Sequence, residues 1–257
     1  MVITGFPAGM FQTNCYIVAA DRGSDALIID PGQDAAPKVR ELLAEYELTP
    51  VAVLLTHGHL DHTWNATELC DEYSIPAYIH PDDRPMLADP GVGLGHALGN
   101  LIGSMVFREP EKVVEFVDGE DVEIAGLRVA VDHAPGHTQG SVLLTLDVEV
   151  PAEAPDAGDV ADSAETTTVP VCFSGDVLFS GSIGRTDLPG GNYQQLLDSI
   201  AQRLLPRPDH TQVLPGHGPQ TSIGQERATN PFLTGLTPGP AQTGQTTDTS
   251  KKGRFGL

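Results

Sequence analysis

The segment Thr56-His57-Gly58-His59-Leu60-Asp61-His62 places three imidazoles and one carboxylate within six residues, directly after the apolar run Val51-Ala52-Val53-Leu54-Leu55. Imidazole nitrogen and carboxylate oxygen are the donors that borderline metals such as zinc prefer. His57 and His59 are two apart, so at the end of an extended strand they point to the same side. Asp61 and His62 follow where the chain is expected to turn into a helix starting near Trp64. One short segment can therefore serve two neighbouring ions, His57 and His59 for one, Asp61 and His62 for the other. Clustering four such groups without a metal would desolvate polar atoms with nothing in return. A single histidine at a strand end carries no such implication.

More candidate donors sit in glycine-rich breaks after apolar strands. They are His137 in Pro135-Gly136-His137-Thr138, Asp176 in Ser174-Gly175-Asp176, and His217 in Pro215-Gly216-His217-Gly218. Glycine lets the backbone turn sharply and brings a donor into a crowded centre. His80, before Pro81-Asp82-Asp83, lacks that setting and reads as structural or capping. His133, four residues before His137, reads as core or as support for it, and His210 has no assigned role. His96 lies in Gly93-Leu94-Gly95-His96-Ala97-Leu98-Gly99, whose glycine density suits a mobile flap. Arg185 and Asp187 suit an ion pair bracing nearby loops, with a substrate carboxylate as the other use of Arg185.

These donors need elements to hold them. Cys15–Val18 and Ala26–Asp30 read as neighbouring strands with Pro31-Gly32 as the break, followed by a helix from Ala36 to Tyr46 whose apolar face is Val39, Leu42, Leu43 and Tyr46. Then come the strand 51–55, a helix over 63–73 and a short strand 77–80. The second half reads as antiparallel strands at 113–117, 121–124, 127–131 and 142–146, a strand at 171–173, a helix at 193–205 and a last strand at 213–214. Two strand sets with helices outside predict a layered α/β sandwich over residues 1–234. The stretch 148–170 carries six acids and no Lys or Arg and reads as a disordered insertion. Residues 235–257, rich in Gly, Pro, Thr and Gln, read as a flexible tail.

The formal charge of −21 argues against a nucleic-acid partner, since phosphates require a basic surface. No apolar run reaches the roughly 18 residues of a membrane span, and the start lacks a secretory signal pattern. Three cysteines without a C-x-x-C pair argue against a disulfide framework, so a cytoplasmic location is expected.

The order T-H-x-H-x-D-H, P-G-H-T, S-G-D, P-G-H-G resembles the metallo-β-lactamase fold superfamily, and within it the short glyoxalase II-like hydrolases. Phe6-Pro7, Asn14-Cys15-Tyr16, Gly184-Arg185-Thr186-Asp187-Leu188-Pro189-Gly190-Gly191 and Asn230-Pro231-Phe232 support the likeness. The resemblance implies an αββα sandwich with a dinuclear centre at the edge of its sheets. It implies that His57, His59 and His137 hold one metal, that Asp61, His62 and His217 hold the other, and that Asp176 bridges them. Zinc is the metal expected, with iron or manganese as the alternatives. Two such ions lower the pKa of a shared water from about 15.7 towards 7. The implied reaction is attack of that hydroxide on the thioester of a small 2-hydroxy acid and a low-molecular-weight thiol, with Asp61 orienting the nucleophile. No cysteine falls at a donor position, unlike the antibiotic-hydrolysing branch with a thiolate in its second site, so a β-lactam substrate is not expected. The rival readings are a persulfide dioxygenase with one iron held by two histidines and an aspartate, and a non-catalytic module stabilised by metal.

Overall fold

The computed structural model describes residues 1–94, 105–151 and 166–239. Its first sheet has the order β1 (Val2–Ala8), β2 (Thr13–Ala19), β3 (Asp25–Ile29), β4 (Thr49–Leu54), β5 (Ala77–Ile79) and β6 (Val113–Glu115). The first three strands pair antiparallel and β3 to β6 pair parallel. The second sheet runs β14 (Thr221–Ser222), β13 (Gln212–Pro215), β10 (Thr166–Gly175), β9 (Val142–Pro151), β8 (Leu127–His133) and β7 (Asp121–Ile124). A short hairpin, β11 (Leu178–Phe179) and β12 (Ser182–Ile183), lies apart from both.

The strand period of two sorts side chains into separate cores. From β2, Cys15, Ile17 and Ala19 face helices α1 (Ala36–Glu45) and α3 (Ala66–Tyr73), joining Val39, Leu42, Leu43, Leu69 and Cys70. Tyr16 and Val18 face the other way, meeting Leu144, Leu146, Val171 and Phe173 of the second sheet. The outer face of that sheet buries Leu143, Cys172 and Val213 under Leu196, Ile200, Leu204 and Ile223. Those residues come from α5 (Tyr193–Ser199), the π-helical turn Ile200–Leu204 and α6 (Ile223–Thr229). Four layers, αββα, result as expected, and Cys172 is core as the apolar strand around it implies.

Several elements differ from the sequence reading. Residues 113–117 were expected to start an antiparallel set, but β6 pairs parallel with β5 at the edge of the first sheet. A three-residue apolar-polar run carries no information about which sheet it joins. Val148–Pro151 and Thr166–Pro170, read as part of a disordered insertion, are paired strand, with Val169 opposite Val148 and Thr168 opposite Glu149. The β-branched residues there outweigh the acidic composition; residues 152–165 lie outside the described residues. The helix expected over 63–73 is two, α2 (Leu60–Thr63) and α3, broken at Trp64-Asn65. β1 had no strand signal of its own, since Gly5 and Pro7 interrupt it. Among the described residues no helix is long and apolar enough to cross a membrane.

The strands that matter for the site end together. Ile29 lies beside Leu54 at the ends of β3 and β4, and Gly175 beside Pro215 at the ends of β10 and β13. The sheets are joined at this edge by Asn14 N–H donating to Gly216 O at 2.7 Å and by a bridge between Thr13 and His217.

Candidate metal centre

All seven donors singled out from the sequence meet at this edge. His57, His59 and His137 form one group and Asp61, His62 and His217 another, each with donor atoms within 4.8 Å of one another. His59 Nδ1 lies 2.8 Å from His137 Nε2. His217 Nε2 lies 3.2 Å from Asp61 Oδ2 and 3.3 Å from His62 Nε2. Asp176 stands between the groups, with Oδ2 3.6 Å from both His137 Nε2 and His217 Nε2, and Oδ1 3.3 Å from His62 Nε2. Gly216 makes this crowding possible, since a Cβ there would collide with Asp176 Oδ1 and the His62 ring.

Four of the five imidazoles are oriented by acceptors on the far side. His62 Nδ1 donates to Asp30 Oδ2 at 3.0 Å, His137 Nδ1 to Arg185 O at 2.8 Å, and His217 Nδ1 to Phe11 O at 3.1 Å. The Thr56 hydroxyl donates to Asp30 at 2.6 Å, leaving its oxygen to accept from His57 Nδ1 at 3.1 Å. Because these partners accept, Nδ1 holds the proton and Nε2 turns a lone pair to the centre. His59 is reversed and presents Nδ1.

The donor set fits divalent cations. His57 Nε2 and Asp176 Oδ1 are buried without a hydrogen-bond partner, an arrangement that costs stability unless something else satisfies them. Nitrogen and carboxylate oxygen without sulfur suit zinc, iron and manganese alike. Electrostatics separate the two groups. Burial, then the neighbouring imidazoles, pushes His57 well below the usual histidine value; burial and His137 push His59 down to about 3. His62 is just as buried, which lowers it, but the Asp176, Asp61 and Asp30 carboxylates outweigh burial and raise it. Burial likewise opposes a raised His217, where Asp61 and Asp176 prevail. Asp61 and Asp176 are raised by burial and, on balance, lowered by His62 and His217.

A cavity of about 400 Å3 opens onto the donors. Its wall is largely apolar: Phe11, Leu60, Trp64, Leu94, Phe179, Ile183 and Leu188, with Arg185 the one cation among the lining residues. The Arg185 guanidinium grips Asp187 through two bonds of 2.7 Å, so the ion pair is present and its side chains are exposed. His80 and His133 stack face to face at 4.0 Å, and His133 Nε2 donates to Gln139 O at 2.7 Å, so both brace the His137 loop. His96 lies outside the described residues.

Three contributions escaped the sequence reading. Asp30 is buried at φ 49° and accepts from Thr56 N, Thr56 Oγ1 and His62 Nδ1. Asp83, also buried, accepts from Gly58 N, Thr138 Oγ1 and Gly140 N. Arg185 contributes its carbonyl as well as its side chain. A carboxylate at a strand end before Pro31-Gly32, beside the strand that launches the histidine segment, was the available signal for Asp30.

The family model described as the metallo-beta-lactamase superfamily matches residues 8–149, and the chain belongs to that superfamily. It is 37% identical to the probable metallo-hydrolase YqgX of Bacillus subtilis, covering 90% of this chain and 96% of that protein. It is 33% identical to hydroxyacylglutathione hydrolase GloC of Haemophilus influenzae, covering 91% and 98%. Among solved structures, the BLEG-1 B3 metallo-beta-lactamase superposes with a TM-score of 0.73 at 37% identity, covering 91% of this chain and all of that one. TTHA1623 in a di-iron-bound form gives 0.67 at 32% identity, with 91% and 100% covered.

Proposed function

We propose that this chain is a metal-dependent hydrolase that cleaves the thioester of a small 2-hydroxy acid and a low-molecular-weight thiol. The observation that carries the reading is Asp176, placed at equal distance from His137 and His217, the position of a carboxylate shared between two cations. His57, His59 and His137 would hold the first cation and Asp61, His62 and His217 the second. Bound there, such ions supply an ionised water at neutral pH and polarise a carbonyl. Zinc is the metal we favour, and the di-iron form of a similar structure keeps iron in view. A site for one cation would leave Asp61, His62 and His217 without a purpose, which weighs against the dioxygenase reading.

The chain's own groups supply the rest. Asp61 accepts from Thr13 Oγ1 at 3.1 Å, which fixes its carboxylate facing the centre, where it orients the nucleophile. The apolar wall excludes bulk water and covers the acyl and thiol portions of the substrate. Arg185 at the rim meets an anionic end of the thiol carrier by exchanging Asp187 for it. Product release leaves a carboxylic acid and a free thiol, and the three buried, unpaired cysteines agree with a reducing, cytoplasmic setting.

The test is turnover by metal-loaded protein of lactoyl thioesters of several small thiols, with oxygen esters, a β-lactam and a glutathione persulfide alongside. Thioester turnover abolished by chelation and restored by metal is expected. Faster turnover of the β-lactam, or oxygen consumption with the persulfide, would overturn the proposal.

A further inference from the structure

The two metal groups are braced by different buried carboxylates. Asp30 serves the second group directly through His62. Asp83 touches no donor, yet every hydrogen bond of its carboxylate ends on a loop of the first group. Oδ2 accepts from Gly58 N at 2.8 Å, between His57 and His59, and from Thr138 Oγ1 at 2.6 Å, next to His137. Oδ1 accepts from Gly140 N at 2.7 Å. These loops lie about eighty residues apart in sequence, and Asp83 comes from a third element, the turn between β5 and α4 (Pro85–Ala88). The fit is tight on both sides. A Cβ on Gly58 would lie 2.8 Å from Asp83 O, and a Cβ on Gly140 would lie 2.6 Å from the Asp83 carboxylate carbon.

We infer that Asp83 is a positioning residue for the first metal alone, setting the gap between the His57–His59 loop and the His137 loop. The inference rests on the two-metal reading of the centre. All three partners are donors, so the charge-free isostere cannot replace the carboxylate. In Asp83→Asn the amide nitrogen must face at least one backbone N–H. The loops then separate and the first cation loses the preset spacing of its three imidazoles. Asp61, His62 and His217 keep their own supports, among them Asp30, Thr13 and Phe11 O.

The experiment is equilibrium metal binding by the full chain, using zinc in competition with a chromophoric chelator and the visible spectrum of cobalt(II) added one equivalent at a time. Wild type is expected to bind two ions, and failure to do so would sink the two-metal reading rather than the role of Asp83. Asp83→Asn is expected to hold one ion as wild type does and the other 10–100-fold more weakly, the usual cost of losing a residue that supports metal ligands. Its cobalt spectrum should keep the second-site bands and lose those of the first. Thr138→Val, which deletes one of the three bonds and preserves shape, should weaken the same ion by a smaller factor and serves if Asp83→Asn does not fold. Two ions bound with wild-type affinity, or both weakened equally in a variant that folds normally, would overturn the inference.

Discussion

Asp30 Oδ2 lies 3.0 Å from His62 Nδ1, with both residues sealed from solvent, and the same carboxylate takes the amide and hydroxyl of Thr56. One acid at the end of β3 thus sets the tautomer of His62 and anchors the start of the histidine segment after β4. Replacing it with alanine strands three donors in a dry pocket. Asp30→Ala should lose about 3 kcal/mol of stability without metal, the scale for breaking a buried charged network. Denaturant unfolding of the metal-free protein measures this, and nitrogen NMR should show His62 Nδ1 losing its fixed proton. A loss below about 1 kcal/mol would mean that Asp30 is not the anchor.

Asp176→Ala removes the one carboxylate common to both groups. Both ions should bind more weakly and hydrolysis should fall by at least about a hundredfold, since Asp176 is the carboxylate that both groups would share. Metal analysis after dialysis, run beside the activity assay, reads the outcome. A variant that retains two tightly bound ions would argue that Asp176 is not shared.

The seven donors were legible because each sits in a local pattern, a strand followed at once by a glycine-rich turn or by the histidine segment itself. Asp30 and Asp83 were not, because Asp-Pro-Gly and Pro-Asp-Asp read as ordinary turn chemistry and their partners lie far along the chain. Asp30 finds His62 32 residues later and Asp83 finds Gly140 57 residues later. The layers were legible from the two periodicities. What was not was the membership of β6, which depends on its parallel pairing with β5 rather than on its own three residues.

The two groups should differ in the protons they release on taking metal. His57 and His59 are depressed by burial and by neighbouring imidazoles, His59 to about 3, so near neutrality they are already neutral and a cation entering there displaces no proton from them. His62 and His217 are raised by the carboxylates despite burial, so near neutrality they hold protons that a cation must expel. Affinity at the second group should therefore rise with pH up to their folded values and flatten above them. The metal-free protein follows the opposite trend: the stability that proton binding gives is complete below the unfolded value near 6.5 and fades as pH rises through the higher folded values. Calorimetry in two buffers of different ionisation enthalpy at pH 6.5 should find more protons released with one ion than with the other. Equal release from both would refute the assignment.

Trp64 and Arg185 line the same cavity but should fail differently when changed. The Trp64 ring is held edge-on by Phe107 at 5.8 Å and offers a fixed apolar surface to whatever fills the cavity. Trp64→Ala removes a contact made equally in ground and transition states, so KM should rise roughly tenfold, worth about 1.4 kcal/mol of apolar contact, with kcat little changed. Arg185→Gln leaves its backbone carbonyl on His137 in place, so both ions should stay bound. Its exposed guanidinium already holds Asp187, so the loss should be confined to thioesters whose carrier bears a carboxylate, with KM rising and neutral carriers unaffected. Steady-state kinetics on a matched pair of charged and neutral thiol carriers separates the two. A fall in kcat with metal loss in Arg185→Gln would show that the side chain, and not only the carbonyl, supports His137.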